Sequence, residues 1–233
     1  MEYFITIIIC IAVAIALKFA WSIKIKDIKT LKEVGYDSSF NEITNKLPEN
    51  QEICKAILKK LKNEQVTIKE EENNTASLYI AINNTIMIAN IKNTFSRVQT
   101  IAHECLHSIQ NRRILLFNFF FSNIYFLYFF AICILRILKI LNFSMLHIFI
   151  LIIFGFLYYA IRSYLEIDAM TKAEFLAKEY MEEEKRLSQE EIAIIAEKNK
   201  QVTEIGIKLT NYQLILNCFL KIVIFAVINL LFH

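Results

Sequence analysis

Four apolar runs dominate this chain of 233 residues, at roughly Phe4–Trp21, Ile114–Leu135, Ile140–Ile161 and Leu214–Phe232. A helix rises 1.5 Å per residue and a bilayer core needs about 20 apolar residues to cross it, so each run is long enough to span. Hydrophobic residues make up 56% of the chain, against only 3 Gly and 1 Pro. That balance excludes disorder, a collagen-like repeat, a disulfide scaffold and most β-rich soluble folds. The sequence predicts a mainly α membrane protein with four transmembrane helices and a small α+β part outside the lipid. Met1-Glu2-Tyr3 supplies no basic leader, and no small-x-small cleavage site follows the first run, so that run is expected to stay as an anchor.

The runs divide the chain into an anchor at 1–23, a polar segment at 24–113, a hairpin of two spans at 114–161, a second polar segment at 162–213 and a last span at 214–233. Only Arg136-Ile137-Leu138-Lys139 separates the two spans of the hairpin, so its outer ends must emerge on the same side. Lys24, Lys26, Lys29 and Lys32 follow the first span, Arg112 and Arg113 precede the second, and Arg162 follows the third. The excess of basic residues there, against Arg136 and Lys139 opposite, predicts that both polar segments are cytoplasmic and both termini lie outside. Lys and Arg total 26 against 23 Asp and Glu, a mixed surface with no nucleic-acid footprint. The 5 cysteines are scattered without paired spacing, which speaks against a zinc ribbon or a redox motif.

Within the first polar segment, 38–63 reads as a helix carrying Leu47, Ile53, Ile57, Leu58 and Leu61, with Pro48 near its start. Residues 78–82 and 85–89 read as two short strands joined at Asn83-Asn84. A helix capped by Asn93 or Thr94 follows, running through Val98, Ile101 and Ala102 to His107 and on into the second span. The third span is expected to continue as a helix from Arg162 to about Leu187. Ser188 and Glu191 have capping-box spacing and open another helix. The run Glu182-Glu183-Glu184 reads as a solvated helix face.

The stretch His103-Glu104-Cys105-Leu106-His107 carries the chemistry. Residues four apart on a helix stand one above the other, so the two imidazoles can serve one metal ion from one face. Glu104 lies about 100° round from His103, close enough to take a proton from a water on that metal but badly placed as a third ligand. This is the arrangement of metal-assisted peptide hydrolysis, with Glu104 as general base. Two histidines four apart also arise by chance on helix surfaces. Here they are two of only 4 in the chain and follow a strand pair and a capped helix, the setting such a motif needs.

A catalytic zinc site needs a third protein ligand and leaves a fourth position open. His107 lies about 10 Å of helix before the second span, and Glu166 follows the third span by a similar margin, so antiparallel spans bring Glu166 to nearly the height of the histidines. Asp168 is an alternative ligand, and Glu174 a third choice. Glu166 and Asp168, two apart on a helix, cannot share a face, so whichever does not ligate is free to orient a histidine. Either strand of the pair is suited to lie beside the metal helix as an edge for an extended peptide, or simply to cover that helix. Lys221 falls in the middle of the last span and His147 inside the third, and both are expected to find packing partners. Cys105 turns off the metal-facing stripe and reads as packing.

The order of one span, strand pair, Ala102-His103-Glu104-Cys105-Leu106-His107-Ser108-Ile109-Gln110, two-span hairpin, Glu166-Ile167-Asp168-Ala169, polar helices and last span resembles the neutral zinc metallopeptidases called YugP-like. More remotely it is similar to the HtpX-like and CAAX prenyl endopeptidases. The resemblance implies a zincin-like cytoplasmic part in which His103, His107 and Glu166 bind zinc, Glu104 is the catalytic base and Asp168 is a possible supporting residue. It implies an integral-membrane zinc endopeptidase, acting on peptide or membrane-protein segments at the cytoplasmic face of a bacterial plasma membrane. Leu106 stands where that family usually has glycine, and Met170 where the prenyl-protease relatives place an aspartate. Those departures keep a second reading open, a catalytically inactive zincin-like membrane scaffold or peptide-binding protein. An intramembrane site-two-type protease fits less well, because the polar residues 93–97 place the motif helix outside hydrocarbon. A transporter fits less well again, because the spans lack polar midplane residues.

Overall fold

The computed structural model describes residues 1–35, 38–71, 74 and 76–232. Among them the chain is mainly helical with one small sheet, in the order α1 (Glu2–Ala20), α2 (Ile25–Gly35), α3 (Ser38–Thr44), α4 (Asn50–Lys60), β1 (Thr67–Glu70), β2 (Leu78–Ile80), β3 (Thr85–Ile88), α5 (Arg97–Ile109), α6 (Arg112–Ile137), α7 (Ser144–Glu184) and α8 (Gln189–Leu231). Four of these helices, α1, α6, α7 and α8, are long and apolar enough to cross a membrane. The chain divides into two compact units, one formed by 1–23, 117–164 and 208–233, the other by 24–116 and 165–207.

In the first unit, Tyr125, Phe129, Ile132, Leu151, Ile222 and Phe225 form the buried core. Phe120, Leu127, Phe149 and Phe156 point outward and are exposed, an arrangement that suits lipid and would be a liability in water. Gly155 permits a close helix approach, since a Cβ there would lie 3.1 Å from both the Cys218 Cβ and the Tyr125 hydroxyl. Lys221 does have partners. Its Nζ sits 4.8 Å from the centre of the Tyr125 ring and 6.0 Å from that of Tyr158, a cation–π arrangement. His147 is likewise packed, with Nδ1 2.8 Å from the Tyr128 hydroxyl.

The second unit contains the sheet, ordered β1-β3-β2. β3 is central, parallel to β1 with Thr67 opposite Thr85, and antiparallel to β2 with Ile80 opposite Thr85. Asn84 closes the hairpin at φ +51°, a left-handed conformation that asparagine tolerates better than most residues. Ile53 and Ile57 of α4, Ile86 and Ile88 of β3, and Val98, Ile101, Ala102 and Cys105 of α5 are fully buried together. Ala169, Ala173 and Ala177 of α7 complete that core.

Three local expectations change. The helix expected over 38–63 is two helices, because Pro48 has no N–H to give and disfavours helical backbone at Leu47. β1, a strand with only one apolar residue, was not foreseen. Because β3 is paired on both sides, 85–88 is not a sheet edge; β2 and β1 are.

A candidate metal centre

The amphipathic pattern of α5 determines which of its side chains face the site. Val98, Ile101, Ala102 and Cys105 fill the core, and Cys105 Sγ lies 3.6 Å from Cys54 Sγ, so the cysteine between the histidines packs as expected. The start of α5 is set by Arg97. Its guanidinium donates to the carbonyl oxygens of Thr44 (3.1 Å), Leu47 (2.9 Å) and Pro48 (2.7 Å) and to Asn50 Oδ1 (3.2 Å). Ser96, not Asn93 or Thr94, occupies the cap position. The Thr94 hydroxyl instead closes the preceding turn on the Ile91 carbonyl at 2.8 Å. At the other end α5 does not run on into α6. Gln110 leaves the helix in an extended conformation, and Asn111 Oδ1 takes the Arg113 amide at 2.9 Å to open the next helix.

On the remaining face His103 and His107 converge. Their Nε2 atoms are 3.0 Å apart, and Glu166 Oε2 of α7 lies 3.3 Å from His103 Nε2 and 3.7 Å from His107 Nε2. One ligand atom from each of the three residues falls within 4.8 Å of the others. The side chains are 19%, 11% and 14% exposed, shielded yet within reach of water. Three electron-pair donors facing one point suit a cation, and two imidazoles with a carboxylate are a donor set of catalytic zinc sites. For His107 burial pushes the imidazole down, but the hydrogen bond and charge of Glu166 reverse the sign and hold it above its ordinary value.

Glu104 is nearly buried at 6% exposure. Burial pushes its carboxyl above the ordinary carboxylate range, against the pull of His103, His107 and the backbone N–H of Tyr79, which hydrogen-bonds to it. The strand edge and the candidate base are thus in direct contact.

Asp168 stands apart from the cluster. Its Oδ2 accepts from Gln110 Nε2 at 3.0 Å and its Oδ1 lies 2.5 Å from Lys172 Nζ. Burial pushes Asp168 up, but these two donors outweigh it and hold the carboxyl below its usual range. Asp168 is joined to a histidine by hydrogen bonds through Gln110, whose Oε1 is 2.8 Å from His107 Nδ1. Glu174 lies two turns along α7 from Glu166, in a groove with Phe175, Lys178 and Lys200, and takes no part. Gln110, Tyr79 and Arg97 are the site-building residues that sequence reasoning missed. No protein-family model, curated protein or solved structure matches this chain.

Proposed function

We propose that this chain is an integral-membrane zinc-dependent endopeptidase whose site lies at the cytoplasmic membrane surface. The observation that carries the proposal is the convergence of His103 Nε2, His107 Nε2 and Glu166 Oε2, with a buried carboxyl next in sequence to the first histidine. In this reading His103, His107 and Glu166 hold the zinc, whose bound state supplies Lewis-acid polarisation and a water of lowered pKa. Glu104 takes the proton from the attacking water and passes it to the leaving amine. The Tyr79 N–H holds the carboxylate in orientation, and β2 beside it offers an edge along which an extended peptide can lie. The four apolar helices support residence in a membrane, and the basic residues flanking them support a cytoplasmic site.

The test is hydrolysis of a quenched-fluorescent peptide library by detergent-purified protein. Activity should be lost with chelator, restored by zinc, and reduced by 10²- to 10⁴-fold, the usual range for a positioned base, in Glu104→Gln. Peptide binding without any chelator-sensitive cleavage would favour a scaffold instead.

A further inference from the structure

We infer that Gln110 is a positioning residue that fixes the proton of His107 on Nδ1 and ties the end of α5 to α7 beside Glu166, an inference that rests on the metal-centre reading above. The Gln110 amide nitrogen lies 2.9 Å from the Leu165 carbonyl oxygen and 3.0 Å from Asp168 Oδ2. A backbone carbonyl and a carboxylate only accept, so both N–H groups of the amide are directed there. The amide oxygen then faces His107 Nδ1 at 2.8 Å. An oxygen only accepts, so Nδ1 must carry the hydrogen. A neutral imidazole protonated on Nδ1 keeps its lone pair on Nε2, the atom that joins the cluster with His103 and Glu166.

The same amide does a second job. Leu165 and Asp168 bracket Glu166 on α7, so one side chain fixes the ring of one ligand and the register of the segment bearing another. Asp168 is itself held by Lys172. Gln110 follows His107 by three residues and so stands on the same face of α5, while its backbone at φ −64°, ψ 162° turns the chain that follows out of the helix.

The test combines a metal-independent and a metal-dependent reading on the full chain in detergent. With ¹⁵N-histidine, the 4 imidazoles are few enough for ring-nitrogen shifts to be assigned by single substitutions. Titrated above the His107 pKa in metal-free protein, the neutral wild-type imidazole should show a protonated Nδ1 and an unprotonated Nε2, and Gln110→Leu should lose that bias. In competition against a chromophoric chelator, Gln110→Leu should bind zinc about 10- to 100-fold more weakly, the usual cost of removing a ligand's orienting partner, while still melting cooperatively. Gln110→Glu places two carboxylates face to face and should bind weakly as well. Adding Asp168→Asn to it restores a donor opposite one new acceptor and should recover part of the affinity, the Leu165 carbonyl still facing an oxygen. A wild type that binds zinc with an affinity indifferent to Gln110→Leu, or a neutral His107 protonated on Nε2 and not on Nδ1, overturns this inference alone. A wild type that binds no zinc overturns the metal-centre reading and this inference with it.

Discussion

Arg97 brings a positive charge to the first turn of α5, where the helix dipole opposes it, and it does so at 1% exposure. Three backbone carbonyls of the turn at Pro48 offset that cost. Arg97→Met would remove this donor from the Leu47 and Pro48 carbonyls, whereas the Thr44 carbonyl keeps the Leu47 N–H. The expected loss is on the order of 3 kcal/mol, measured as a lower melting temperature in detergent; an unchanged melt would show that the turn at Pro48 is held by other contacts. At this scale legibility in the sequence divides by whether partners lie at a fixed spacing. His103, Glu104 and His107 are placed relative to one another by helical geometry alone, so five adjacent letters define them. Tyr79 acts on a partner in another element at no set separation, and Gln110, though three residues from His107, has its other two partners on α7, so neither residue type marks its role. Glu166 is intermediate, legible because the tight hairpin at Arg136–Lys139 limits how far apart its two flanks can be in height.

Elements were legible where their signals are local. Ser188 and Glu191 form the reciprocal box that their spacing predicts, with Ser188 N–H donating to Glu191 Oε2 at 3.0 Å and Glu191 N–H to Ser188 Oγ at 3.2 Å. Ser188→Ala should cost about 1 kcal/mol and speed amide exchange in the first turn of α8 without touching zinc affinity; unchanged exchange there would mean the box contributes nothing. β1 was illegible for the opposite reason. Thr67-Ile68-Lys69-Glu70 has one apolar residue, and its strand character comes from parallel pairing with β3 (Thr67 opposite Thr85, Glu70 opposite Ile88), a partner that no local pattern names. The break between α5 and α6, where Gln110 turns extended and Asn111 Oδ1 takes the Arg113 amide, has no proline or glycine to announce it. Pro48 gave a local warning, and the helix does end before it.

For the molecule as a whole, the account requires that the polar segments share one side of the membrane. All five native cysteines are buried, which leaves a quiet background for introduced thiols. Exposed Lys69 and exposed Asn142 are predicted to lie on opposite sides. Lys69→Cys should react with a membrane-impermeant maleimide only after permeabilisation, and Asn142→Cys in intact cells; the reverse pattern would move the site to the other face. The central claim joins residues from two helices far apart in sequence into one metal centre. Metal content by plasma mass spectrometry on detergent-purified protein tests it most directly. The account predicts near-stoichiometric zinc in wild type, retained in Glu104→Gln and in large part in Asp168→Asn, and lost in His103→Ala and Glu166→Ala. No zinc in wild type, or zinc indifferent to Glu166→Ala, would contradict it.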